Sequence, residues 1–229
     1  MSKMKKALVL LLILCVGTLP FSSVSAQGDD TQDIVEVTGD KAEQWVDVTL
    51  TAVADGGIEN IAPESAFGLE DSTVYTVGGG VTVVSVPLHG DYSLPSNITI
   101  FLDEENTVLQ VNETLISKNE LGNFQVDTYL DGSIVNSEDT GIAYMTDEEL
   151  LAEEPVAGIQ PMGIGSVAGC LAGVLGVGGT MATVIAYACG GSCAAPTPVT
   201  AKICAACIGA YATLGSAGIG GVVACFAYA

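Results

Sequence analysis

Hydrophobic and polar positions follow three different patterns along the 229 residues. An unbroken apolar run from Ala7 to Val16 follows Lys3, Lys5 and Lys6 and leads into a polar, turn-prone stretch ending at Val24-Ser25-Ala26. That layout predicts an export signal over residues 1–26, cleaved after Ala26, because the run is shorter than a membrane span needs. From Asp33 to about Thr140, short β-branched runs alternate with turn residues. Strands are predicted at 81–88, 98–102 and 108–111. Trp45-Val46-Asp47-Val48-Thr49-Leu50-Thr51 alternates weakly and reads as a further strand. Residues 124–130 and 133–136 flank Asp131-Gly132, a pair suited to a two-residue primed hairpin turn. A short helix is expected near 146–153. The third pattern begins after Glu154, with uncharged runs at 163–188 and 203–229. Each is long enough for a helix that crosses a bilayer, and the Pro196-Thr197-Pro198 turn between them predicts an antiparallel helical pair.

Charge follows the same divisions. The chain carries −21 overall, yet residues 1–26 carry +3, residues 27–154 carry all 27 acids and only two Lys, and residues 155–229 carry Lys202 alone. The expected organisation is a signal peptide (1–26), a mainly β acidic domain with an antiparallel sheet or small sandwich (27–154), and an all-α hairpin (155–229). With no Arg and so few Lys, there is no basic footprint to neutralise phosphates, and a nucleic-acid role is excluded. The acidic segment keeps an exported protein soluble. Asn97-Ile98-Thr99 and Asn112-Glu113-Thr114 are sequons, which makes Asn97 and Asn112 candidate glycosylation sites.

Candidate chemistry is sparse in the acidic segment. His89 is the only His and reads as a turn residue bonded to backbone. No nucleophile-and-base arrangement is visible, so the chain is not expected to be an enzyme or to need a cofactor. Asp29/Asp30 and Asp103/Glu104/Glu105 lack the spacing of a specific calcium loop. Asp147-Glu148-Glu149 and Glu153-Glu154 read as a solvated face.

Six of the seven Cys lie in the C-terminal segment, and Cys15 leaves with the signal. An even number in an exported chain favours three disulfides. Cys170 and Cys189 are 19 apart and Cys207 and Cys225 are 18 apart, nearly mirror-symmetric about the Pro-Thr-Pro turn. Two antiparallel helices place Cys193 by Cys204, Cys189 by Cys207 and Cys170 by Cys225. This nested order is a geometric preference among 15 connectivities. A zinc site of Cys189, Cys193, Cys204 and Cys207 is the competing reading, disfavoured by export and by the two Cys left over, so no metal is expected.

Of the 75 residues after Glu154, 15 are Gly and 17 are Ala. Gly165, Gly169 and Gly173 recur every four residues, as do Ala212, Ser216 and Gly220, the spacing that lets helices approach closely in lipid. The same residues would also serve a tightly packed soluble hairpin. The absence of a polar stripe favours the membrane, since a surface helix normally carries one.

Cys-Gly-Gly-Ser-Cys (189–193), Pro-Thr-Pro-Val-Thr (196–200) and Ile-Cys-Ala-Ala-Cys-Ile-Gly (203–209), behind a signal and an acidic region, resemble precursors of the small archaeal halocins. These are peptide bacteriocins of the halocin C-eight type. The resemblance covers about residues 163–229 and the overall layout. It implies a secreted antimicrobial peptide released by a processing protease after the signal peptidase has acted. The upstream region would then serve immunity or chaperoning, and the partner would be the lipid membrane of target cells. The residues themselves leave a second reading, a cell-surface protein anchored in the producer's membrane by its C-terminal hairpin. Release of the peptide is expected between Glu154 and Ser166, where the charge breaks off.

Overall fold

A computed structural model describes residues 35–77, 80–154 and 164–193, together with Cys204, Cys207, residues 209–211 and residues 218–226. Its frame is a seven-stranded antiparallel sheet in which each strand pairs with the next in sequence. The strands are β1 (Val35–Val37), β2 (Thr73–Val77), β3 (Val81–Pro87), β4 (Asn97–Leu102), β5 (Val108–Lys118), β6 (Asn123–Leu130) and β7 (Ser133–Ala143). A single meander sheet, rather than a sandwich, carries the acidic segment. Asp131 and Gly132 both take positive φ, 46° and 72°, as a primed turn between β6 and β7 requires.

Two sequence expectations change here. Residues 45–51 form no strand; they lie inside α1 (Asp40–Ala54). The alternation of Val46, Val48 and Leu50 is real but short. Over the longer window Ala42, Trp45, Val46, Thr49 and Val53 recur at three- and four-residue spacing, and that stripe packs on the sheet. Asp40 and Glu43 sit in the first turn, where acidic groups suit the helix dipole. β5 also runs on through Asn112-Glu113-Thr114 to Lys118 instead of stopping at Val111, because those polar residues are buried within the sheet.

Both faces of the sheet are covered. Val74, Val84, Ile98, Ile100 and Val111 form one apolar face, against which α1 and the segment after it pack. On the other, Ile116, Phe124 and Val126 join a cluster with Leu150 of α2 (Asp147–Ala152) and with residues of the C-terminal segment. Those residues come from α3 (Ile164–Leu175), α4 (Gly179–Cys193) and α5 (Gly218–Phe226), with helical positions at Cys207 and Tyr211. The acidic and C-terminal segments therefore share one hydrophobic core, within a unit spanning Gln32–Ala229.

The expected 26-residue helix over 163–188 is in fact two helices. Gly176 takes φ +68°, its N–H bonds to the Ala172 carbonyl, and α4 begins only at Gly179. A left-handed glycine is a common helix stop, and it divides an otherwise continuous apolar run. At ~1.5 Å per residue, α3 and α4 are each shorter than a hydrocarbon layer of about 30 Å. Among the described residues no helix is long and apolar enough to cross a membrane.

Candidate functional site

The contact between the C-terminal helices and the sheet is the chemically most specific region of the molecule. Its apolar part is one cluster: α4, with Met181, Val184 and Ile185 buried, meets β6 and β7, and α3, packed on α4, turns Val167, Ala168, Leu171, Ala172 and Leu175 inward. Three disulfides knit the C-terminal segment: Cys170–Cys225, Cys189–Cys207 and Cys193–Cys204, with Cα separations of 5.4, 5.7 and 4.9 Å. These are the pairs of the nested order, and they engage all four Cys of the alternative zinc reading. All three bridges join residues of the C-terminal segment to one another, and none reaches the sheet.

Polar contacts from described residues also join the C-terminal helices to the acidic segment. The Tyr211 hydroxyl donates to the Pro95 carbonyl at 2.6 Å, and Asn97 Nδ2 donates to the Tyr211 oxygen at 3.3 Å. Asn97 Oδ1 in turn accepts from the Thr99 hydroxyl. Burial pushes the Tyr211 phenol well above its ordinary range, so it stays a neutral donor. A further contact is at α4. Glu153 Oε2 accepts from the Thr180 backbone N–H at 2.9 Å, and Oε1 accepts from the Thr180 hydroxyl at 2.8 Å. One carboxylate thus satisfies a donor in the first turn of α4, where the dipole favours negative charge.

The acidic run that holds Glu153 is solvated only in part: Glu148, Glu149 and Glu154 are exposed, whereas Asp147 and Glu153 are half-buried. Asp147 Oδ1 accepts from Leu94 N–H and the Ser93 hydroxyl, fixing α2 to the β3–β4 connection. Thr146 and Glu149 form a capping box, and backbone and side-chain hydrogen bonds from Thr146 hold the Glu149 carboxyl below its ordinary value.

Other expected sites are placed differently. Asn97 and Asn112 are 4% and 2% exposed, and the folded chain leaves no room for a glycan at either. The reason is that both lie on central strands, β4 and β5, where their side chains are buried, that of Asn97 against Tyr211. Gly165 and Gly173 face outward and Gly169 is half-buried, so this stripe is not the face α3 packs with; the larger apolar side chains are. Gly220 lies in α5, whereas Ala212, Ser216, Lys202, Ala26, Asp29/Asp30, the Pro196–Pro198 turn and the release region 155–163 fall outside the described residues. Asp103 accepts from the N–H groups of Glu105 and Thr107 and so shapes the β4–β5 turn. His89 sits at a strand end, its N–H bonded to the Ala66 carbonyl and its Nε2 3.8 Å from Asp71. A cleft of ≈ 320 Å³ lies beside this pair and reaches Tyr211. Its amide wall, Asn97, is already committed to Pro95, Tyr211 and Thr99.

No family model, curated protein or solved structure matches this chain. The chemistry of the contact therefore rests on its own residues. Sequence reasoning passed over Glu153 and Tyr211 because their partners are 27 and up to 116 residues away. The one local hint is at the receiving end: Gly178-Gly179-Thr180 is a helix start without an acidic residue of its own in the first turn.

Proposed function

We propose that the chain is the precursor of a secreted antimicrobial peptide, with residues from about 164 to 229 as the peptide and residues 27–154 as its carrier. One observation carries this reading. The C-terminal helices are bridged only among themselves, yet their apolar side is buried on the sheet of the acidic segment. One cut between Glu154 and Ser166 therefore leaves a covalently complete, almost uncharged peptide held only by noncovalent contacts. The carrier does not neutralise the peptide by charge, since the peptide carries a single Lys. It covers the apolar surface and supplies the charge that keeps the pair in solution.

Once free, the peptide exchanges the sheet for the membrane of a target cell and permeabilises it. The bend at Gly176 keeps α3 and α4 short on the carrier; spanning a bilayer requires that bend to straighten. Small outward residues on α3 suit close helix contact in lipid, and Lys202 remains at the polar interface. The bridges limit the conformational freedom lost on insertion. The test is dye release from anionic lipid vesicles. Oxidised peptide 164–229 is expected to release dye, the uncut chain to be inert, and added carrier to suppress release. A peptide inert towards both vesicles and related strains overturns the proposal. An uncut chain of mature size in the membrane fraction would select the surface-anchored alternative.

A further inference from the structure

We propose that Glu153 is the residue by which the carrier recognises the cut peptide: it caps helix α4 of the peptide from outside, and the cut leaves that cap on the carrier. This deepens the precursor reading and rests on it.

The geometry is specific on both sides. The carboxylate meets the Thr180 N–H at 2.9 Å and the Thr180 hydroxyl at 2.8 Å, so both oxygens are used. A helix start leaves its first N–H groups without intrahelical partners, and α4 has no acidic residue in its first turn. Gly178 provides a second, independent sign of fit. A Cβ there would run into the Cβ and carboxylate of Glu153, so the absence of a side chain makes the close approach possible. The cap is also held in place. Asp147 ties α2 to Ser93 and Leu94, the Thr146–Glu149 box closes its first turn, and Leu150 is buried in the shared core. Glu153 directly follows that helix and is presented to α4 on a fixed support. Tyr211, bonded to Pro95 and Asn97, is a second polar point.

An apolar surface alone holds any greasy helix in many registers. A carboxylate that must meet an uncapped helix start, and an amide that must meet a phenol, admit one register and one kind of peptide. The free peptide has no equivalent of Glu153 to cap Thr180, so leaving the carrier also frays the start of α4.

The experiment uses the full mature chain with a site-specific protease sequence placed within 155–163. After cutting, dissociation of the halves is followed by native mass spectrometry while they exchange with an excess of isotope-labelled peptide from the same chain. The wild-type halves are expected to stay paired. Glu153→Ala is expected to speed dissociation by about 2- to 30-fold, the range of a lost helix cap. Glu153→Gln, which keeps one acceptor oxygen, falls between. Thr180→Val removes the other side of the hydroxyl contact, and its effect is expected to vanish when Glu153 is already Ala. Wild-type dissociation from Glu153→Ala, in a chain whose circular dichroism is unchanged, overturns the proposal. If Glu153→Ala unfolds the uncut chain, Glu153→Gln combined with Thr180→Val is read instead, and strictly additive effects overturn it. A peptide that is inert on vesicles removes the antimicrobial reading without touching this result. A membrane-active peptide whose release ignores Glu153 does the reverse.

Discussion

The two faces of the sheet are covered by helices of opposite character. α1 lays Val46, Thr49 and Val53 on one face and turns Asp40, Lys41, Glu43, Gln44 and Asp47 to water. On the other face α4 meets β6 and β7, and α3, packed on α4 and α5 through Val167, Leu171 and Leu175, turns Ile164, Gly165 and Gly173 outward. A charged outer side commits a helix to one apolar partner, because its other side belongs in water. A helix without that side can exchange its partner for lipid, which fits the proposed transfer. Each cover is also fastened by one carboxylate that accepts two hydrogen bonds. Glu113 of β5, itself buried, holds the N–H groups of Ile61 and Ala62 in the segment that follows α1. Glu153 holds Thr180 and is only half-buried. The first fastening is sealed in; the second lies open to competition.

The strongest way to break this comparison is to open a cavity under each cover. Phe124 and Ile100 are fully buried, Phe124 beneath the C-terminal helices and Ile100 on the α1 face. Phe124→Ala is expected to cost about 3–5 kcal/mol and Ile100→Ala about 2–5 kcal/mol in denaturant unfolding. Their distribution matters more than their size. Hydrogen exchange in Phe124→Ala should rise in α3 and α4 while α1 stays protected, because local opening follows the weakened contact. In Ile100→Ala the loss should be spread over the sheet. Equal loosening of both covers by both variants would show that they form one cooperative layer.

A smaller effect sharpens the contrast at the sealed fastening. Glu113→Ala leaves the buried Ala62 N–H and the partly buried Ile61 N–H without their acceptor, at a cost of about 1–3 kcal/mol. Burial raises the Glu113 carboxyl above its ordinary 4.5, with the two N–H groups opposing the rise. A raised carboxyl favours folding most when protonated. Its contribution is therefore complete below the unfolded value and declines as pH climbs through the folded one. The advantage of wild type over Glu113→Ala should shrink from pH 4 upward, read as the difference between two urea midpoints. A difference that grows with pH would mean the hydrogen bonds outweigh burial.

What the sequence made legible, and what it hid, follows the same division between local and distant causes. Asp131-Gly132 announced its turn because both residues must hold positive φ, and Thr146 with Glu149 announced a helix because the capping box is three residues long. The spacing of the Cys residues pointed to the nested bridges through their near-symmetry alone. Trp45–Thr51 misled because seven residues are too few to separate a period of two from one of 3.6 when three of the apolar residues are β-branched or alternate by chance. The long apolar run hid its break: one glycine among many, Gly176, takes positive φ and divides 163–188 into two helices, and nothing in the composition singles it out. Glu153–Thr180 and Asn97–Tyr211 had no local signature, since each depends on where the sheet brings distant segments together.

The smallest predicted effect tests whether the open fastening depends on its support. α2 has six residues, too few to persist on propensity. It is held by its cap, by Asp147 and by burial of Leu150. Thr146→Ala removes the side-chain half of the capping box and is expected to cost about 1 kcal/mol. The Glu149 carboxyl, held low by the Thr146 backbone N–H and then by its hydroxyl, should titrate closer to its ordinary value in the variant, as NMR would show. Exchange of the Thr180 amide should quicken at the same time, because Glu153 is presented by α2, while amides of α1 should be unmoved. If Thr180 keeps its protection after the cap is lost, Glu153 finds α4 without help from α2. The open fastening would then be as self-sufficient as the sealed one.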